Sequence, residues 1–173
     1  MRRTFLLVAV VALAATLFIP ATTAAPSTSE HVLSREAAGT WSWVNTGWDV
    51  WKTARDGTEY VSGTEDGTWT GTFEGSSSDT FAGEIHSDGS LWGLLSTSFE
   101  GTVGGKSGTL EILTTWVVPE RNPDAAMTGT WVIISGTDEL ANLRGKGTWV
   151  YEGADPTDHA TYSGMVKEFV PAA

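Results

Sequence analysis

The sequence predicts an all-β protein of about eight antiparallel strands, arranged as two packed sheets or a closed barrel, and three observations predict it. From Gly39 onward, short runs rich in Thr, Val, Ile and Trp alternate with Gly- and Asp-bearing turns, the pattern of antiparallel strands. No window of eleven or more residues beyond the N-terminal segment carries a helical stripe. The chain also holds nine Trp, more large rings than a single flat sheet can bury. Two packed sheets or a closed barrel can bury them, and closure also removes exposed edges.

The elements follow in order. Residues 1–24 read as a secretory signal: Arg2 and Arg3, an apolar run from Phe5 to Ile19, the breaker Pro20, then small residues with cleavage after Ala24. The apolar run is short for a membrane span. Arg2-Arg3 leaves twin-arginine and general secretory export both open. Removing 24 residues and two of the ten basic side chains leaves 149 residues with a net charge of −13. An acidic chain is a poor partner for nucleic acid or anionic lipid. With no Cys, disulfide staples and Cys-ligated metals are excluded. Residues 25–38 are expected to be a flexible leader, and 39–173 a single domain.

Eight strands are expected at 40–53, 58–63 continuing past a turn into 68–75, 80–86, 91–103, 107–118, 126–135, 145–152 and 161–169. Asp56-Gly57, Asp66-Gly67 and Asp88-Gly89 are hairpin dipeptides, since both residue types tolerate positive φ. Gly104-Gly105-Lys106 is another reversal. Longer loops are expected from Pro119 to Asp124, where Pro cannot donate to a ladder, and from Asp155 to His159. Gly-Thr-Trp occurs at 39–41, 67–69, 129–131 and 147–149 without a fixed period, so no solenoid or propeller follows. Glycines beside the rings give tight bends or room for a neighbouring ring. Trp41 and Trp43 share a face, but Trp48 and Trp51 do not share parity, so the four cannot all be buried on one strand without a bulge.

The run Ser135-Gly136-Thr137-Asp138-Glu139-Leu140-Ala141-Asn142-Leu143-Arg144-Gly145-Lys146-Gly147 leaves a strand, makes a short helical turn and re-enters a strand. Leu140 and Leu143, spaced i, i+3, can tuck under one end of a β-structure. The run resembles the Gly-Thr-Gly-x-Phe-x-x-Ala-Arg-Gly segment of plant dirigent proteins. It resembles still more closely a bacterial family of uncharacterised proteins with the allene oxide cyclase-like barrel, in which a Gly-Gly-x-Ser-Gly turn precedes it, as Gly104-Gly105-Lys106-Ser107-Gly108 does here. Asp138 stands where the motif has Gly, and Leu140 where dirigents have Phe. The resemblance runs from about Trp69 to Trp149 and implies a barrel of about eight antiparallel strands whose lumen can hold an apolar small molecule. It also implies a superfamily whose characterised branches guide radical coupling, cyclise an epoxide or perform cycloadditions. No functional carboxylate of those branches maps onto a matching position here.

The aromatic set is the leading functional candidate, with Trp41, Trp43, Trp69, Trp92, Trp131 and Trp149 as ligand-binding residues. Rings around a cavity suit an apolar or aromatic molecule; rings on an outer face suit sugar stacking. Glu84, Glu100 and Glu111 lie within strands, and each either enters the lumen as a general acid of raised pKa or points to solvent. Arg144 is either a lumen cation or a turn-stabilising donor. His31, His86 and His159 show no metal-ligand spacing, so no metal and no cofactor is expected. Neither a nucleophile elbow nor a phosphate-cradling loop occurs. The expected function is binding of a small apolar or aromatic molecule in an aromatic-lined lumen. A cyclase- or isomerase-type enzyme with a lumen carboxylate and an extracellular carbohydrate-binding or surface-interaction module are the alternatives. Oligomeric state is not legible.

Overall fold

The computed structural model of the chain describes residues 31–119, 126–151 and 159–170. Residues 1–24, expected to be a secretory signal, residues 25–30 and most of the two longer loops lie outside the described residues. Within them are eight strands: β1 (His31–Thr53), β2 (Glu59–Gly71), β3 (Phe73–Ile85), β4 (Leu91–Val103), β5 (Lys106–Val118), β6 (Met127–Gly136), β7 (Leu143–Tyr151) and β8 (Ala160–Val170). Each pairs antiparallel with its neighbour in sequence, and β8 pairs back onto β1, so one sheet closes in a ring.

Alternation along the strands sorts side chains into an interior and an exterior. Odd-numbered residues of β1 to β4, such as Trp41, Val61, Trp69, Phe73, Phe81, Leu95 and Phe99, are buried. So are even-numbered residues of β5 and β8 and odd-numbered residues of β6 and β7. One end of the ring is plugged. The segment after β6 makes a 3-10 turn at Asp138–Leu140, with Leu140 and Leu143 buried as their spacing implies. Thr137 and Thr109 join their hydroxyls across β5 at 2.9 Å, and the Glu139 carboxylate accepts from the Ser107 N–H at 2.9 Å.

Two sequence expectations are corrected. Residues 31–38 are not leader: they form the first third of β1 and pair with β8 from His31↔Val170 to Ala38↔Ser163. Their polar composition fits an outer strand face, and Ala37, the inward residue, is buried. Asp66-Gly67 is not a turn either, because β2 runs straight through it and Glu65 pairs with Asp79 on β3. The reversal lies at Gly71, whose φ of +97° is open to glycine alone at low cost. Tyr162 fixes that reversal: its hydroxyl accepts from the Phe73 N–H at 2.9 Å and donates to the Thr70 carbonyl at 2.9 Å. The Asp56-Gly57, Asp88-Gly89 and Gly104-Gly105 reversals stand, with positive φ at each glycine.

The Gly-Thr-Trp repeats now have a physical meaning. Gly and Trp, two apart, point to the same interior face, and all four Trp of the repeats are buried. On β6 and β7 the repeats interlock, with Gly129 opposite Trp149 and Trp131 opposite Gly147. A Cβ on Gly129 would stand 2.5 Å from the Trp149 indole nitrogen, and one on Gly147 would stand 2.6 Å from the Trp131 ring. Each glycine is the slot its neighbour's indole fills. Trp116 likewise lies over the Gly83–Gly93 pair.

Gly147→Ala places a methyl 1.9 Å from the Ser163 carbonyl as well as against Trp131. Overpacking of this kind costs about 1–3 kcal/mol. Urea unfolding followed by Trp fluorescence should show that loss, while Lys146→Ala, one residue away on the exposed face, should stay within about 0.5 kcal/mol. Equal effects would contradict the interlock.

Candidate functional site

The interior is filled along only part of its length. Toward the plugged end, Trp69, Phe73, Phe99, Trp131 and Tyr162 pack ring against ring at centroid separations of 5.4 to 6.5 Å. Toward the opposite end, where the Asp56-Gly57 and Asp88-Gly89 hairpins lie, a cavity of about 180 Å³ remains. Its walls include Trp41, Trp43, Trp48, Trp116 and Trp149, with Phe81, Leu91, Leu95 and Met127 completing the apolar surface; Asn45 and Glu65 are its polar lining residues.

The walls are built by identifiable local devices. Trp41 stacks on Trp69 at 5.2 Å and 16°, meets Trp149 edge-on at 5.7 Å, and leaves Trp43 at 4.8 Å as the next ring outward. Trp43 in turn meets Tyr151 at 5.1 Å. The register shift between Asn45 and Gly47 is a bulge, and it reverses the parity of β1. Trp48 therefore swings to the mouth, 56% exposed yet only 5.4 Å from the Phe81 ring. A second shift, between Val50 and Lys52, leaves Trp51 outside against Tyr60.

Beneath these rings lie two acids. Glu65 on β2 and Asp79 on β3 face one another across the ladder, 7% and 2% exposed. The Trp69 indole N–H donates to Ser77 Oγ at 3.0 Å, and the Ser77 hydroxyl donates to Asp79 Oδ2 at 3.1 Å. Among the described residues three buried side-chain atoms have no hydrogen-bond partner, namely Asp79 Oδ1, Thr97 Oγ1 and the Trp41 Nε1. Thr97 stands opposite Asp79 in the register, so two of the three belong to this floor. Burial, then the neighbouring Asp79 carboxylate, pushes the Glu65 carboxyl up to about 7. Burial and the Asp66 charge push Asp79 up to about 6, against the pull of the Thr97 and Ser77 hydroxyls. Thr97 exerts that pull by proximity, without an aligned hydrogen bond.

Of the six candidate ring residues, Trp41, Trp43 and Trp149 line the cavity, while Trp69 and Trp131 belong to the packed half. Trp92 is on the outer face, 47% exposed, because β4 buries its odd-numbered residues. The candidate acids also face outward. Glu100 and Glu111 are exposed, with Glu111 accepting from the Ser98 hydroxyl at 3.0 Å, and Glu84 lies 3.7 Å from His86. Arg144 serves the turn, donating to the Ala141 and Leu143 carbonyls at 3.1 and 2.6 Å. Sequence reasoning missed Glu65 and Asp79 because the supposed Asp66-Gly67 turn placed the first in a loop and left the second between strands. The available signal was unbroken alternation through Val61, Gly63, Glu65, Gly67 and Trp69, and through Phe73, Gly75, Ser77, Asp79 and Phe81. Among the described residues no group of three or more His, Asp or Glu is placed to hold a metal, and no helix is long and apolar enough to cross a membrane.

The two acids make stability pH-dependent. Both hold their protons more tightly folded than at their ordinary values of 4.5 and 3.8. The stability they contribute is therefore fully present below about pH 4 and is lost as pH rises through 6 to 7. Glu65→Gln removes the larger shift, so the variant should gain a few degrees of Tm over wild type at pH 8 and lose that advantage at pH 4. Parallel wild-type and variant curves in a thermal scan series would contradict the buried, proton-holding Glu65.

A crystal structure of a protein with unknown function from the same family as the match below, from Shewanella oneidensis MR-1, is similar to this chain. It has a TM-score of 0.65 at 16% identity and covers 81% of this chain and 100% of that one, a likeness of fold. No curated protein matches the chain. Residues 37–162, from within β1 to the first residues of β8, match a family described as "Protein of unknown function (DUF3224)", and the chain belongs to that family.

Proposed function

We propose that this is an exported β-barrel protein that binds a small, largely apolar or aromatic molecule in the indole-walled cup. The observation that carries the reading is the cavity itself: five Trp converge on about 180 Å³ of space in a ring whose other half is tightly packed. Leaving rings unpacked forfeits burial that a filled core would gain, and concave apolar sites with few polar groups are typical ligand sites. The arginines, apolar run and small-residue stretch of residues 1–24 support export and a soluble extracytoplasmic location.

The likeness to the allene oxide cyclase-like barrels belongs to this reading as well. It is supported by eight antiparallel strands in sequential order around a closed ring and by the short turn capping one end. Asp138, where the motif has Gly, takes a positive φ of +51°, the conformation for which Gly is the easier choice. The second functional reading, a cyclase- or isomerase-type enzyme, is favoured by one observation: Glu65 is a cavity-lining acid with a raised pKa, suited to general-acid chemistry near neutral pH. Sugar stacking by exposed Trp has less support, because the outward Trp51 and Trp92 sit on β1 and β4, which are not neighbours.

Native mass spectrometry of protein purified from its own source should show a retained adduct, and a chain that begins at Ala25. A fluorescence panel of apolar and aromatic molecules should give saturable changes that weaken about tenfold or more in Trp43→Ala, which removes a wall. Flat titrations across that panel, with saccharides also silent, would overturn the binding reading.

A further inference from the structure

The composition of the cup bears on the charge of its occupant. Around the floor, the lining residues from β1, β3, β4, β5, β6 and β7 are uncharged, and β2 contributes Glu65. Asp79 lies opposite Glu65, and Asp66, on the outer face of β2, is a further carboxylate whose charge acts on Asp79. No basic group is among the influences on either buried acid. A buried carboxylate without a counter-cation is costly, and Asp79 Oδ1, almost wholly buried, has no protein donor. Five indoles, those of Trp41, Trp43, Trp48, Trp116 and Trp149, line the same cavity as Glu65, and indoles are the side chains that attract cations most strongly, best when both partners are desolvated.

We propose that the cup takes a small organic cation: a methylated ammonium group seated among Trp41, Trp43, Trp48, Trp116 and Trp149, with its positive charge toward Glu65 and Asp79. This names the ligand class of the cup and rests on the binding reading above. The rings supply contact and quadrupole attraction for the methyl groups, and the acids supply the countercharge the protein lacks. Because the pair holds protons when the cup is empty, the cation displaces them, and binding strengthens as pH rises. The surplus of acidic over basic residues on the chain also draws cations toward the mouth.

The test uses the full mature chain and two probes of nearly equal shape, choline and its uncharged carbon isostere 3,3-dimethylbutan-1-ol, followed by Trp fluorescence and calorimetry. Choline should bind saturably and at least about tenfold more tightly than the isostere, the order expected of a desolvated cation–π site. Its affinity should rise between pH 5 and pH 8. Glu65→Gln should erase most of the preference for the cation and of the pH dependence while leaving isostere binding in place. Equal affinity for the two probes would overturn the cation proposal and leave the binding reading standing. Failure of choline to bind also overturns it, and the apolar panel described above then decides separately whether the cup binds at all.

Discussion

A ring of eight strands encloses a fixed volume, and everything else in this molecule follows from how indoles are fitted into it. Several indoles have a glycine opposite them on one neighbouring strand, which gives the ring room, while on the other neighbour Trp149 faces Tyr162 and Trp131 faces Thr114. Gly129 and Gly147 accept Trp149 and Trp131, and Gly83 with Gly93 accepts Trp116. The same economy of space lets Trp41 stack directly on Trp69. The glycine-rich composition therefore encodes interior shape as much as turns. Interlocked in this way, the rings hold the strands at defined spacing, and closure of the sheet leaves no edge between β1 and β8 to aggregate.

The two ends of the ring differ, and that asymmetry creates the cup. At one end the chain between β6 and β7 folds back under the barrel mouth, and Leu140 seals it. The Tyr162 hydroxyl reaches from β8 to tie the β2–β3 reversal on the same side. At the other end the cavity remains, and a bulge in β1 carries Trp48 to the rim instead of into the core. Two carboxyls at the junction of packed and open halves would be a liability in a purely structural core, since their burial costs stability at neutral pH. That cost is the physical reason for reading the floor as functional: strain and unpaired polar groups of this kind gather where ligands bind.

Much of the fold was legible in the sequence, and the limits were specific. Alternation, turn dipeptides and the number of Trp pointed to eight antiparallel strands in two packed sheets or a closed barrel, and the sheet closes in a ring. A bulge was needed only for Trp41, Trp43, Trp48 and Trp51 to be buried together, and Trp48 and Trp51 are exposed although β1 does carry a bulge. The leader was misjudged because residues 31–38 show no apolar–polar alternation, with Val32 and Leu33 both exposed and Ala37 alone buried, and because the partner strand lies about 130 positions away at Ser163 to Val170. The floor was misjudged because Asp-Gly is a strong hairpin signal, and nothing local distinguishes a glycine chosen for a turn from one chosen to admit an indole. Glu84, Glu100 and Glu111 could be lumen or solvent residues on the sequence alone, because which face of a strand is interior depends on closure of the ring and not on any strand by itself.

The cup depends most directly on the state of the acid pair beneath the indoles. Carbon-13 NMR titration of the side-chain carboxyls, with Glu65 and Asp79 assigned through their Gln and Asn variants, measures it without any ligand. The account predicts that the pair titrates well above the other carboxyls, with Glu65 near 7 and Asp79 near 6. Titration of both carboxyls near 4, as for solvent-exposed acids, would contradict a buried acidic floor and the ligand cup built upon it.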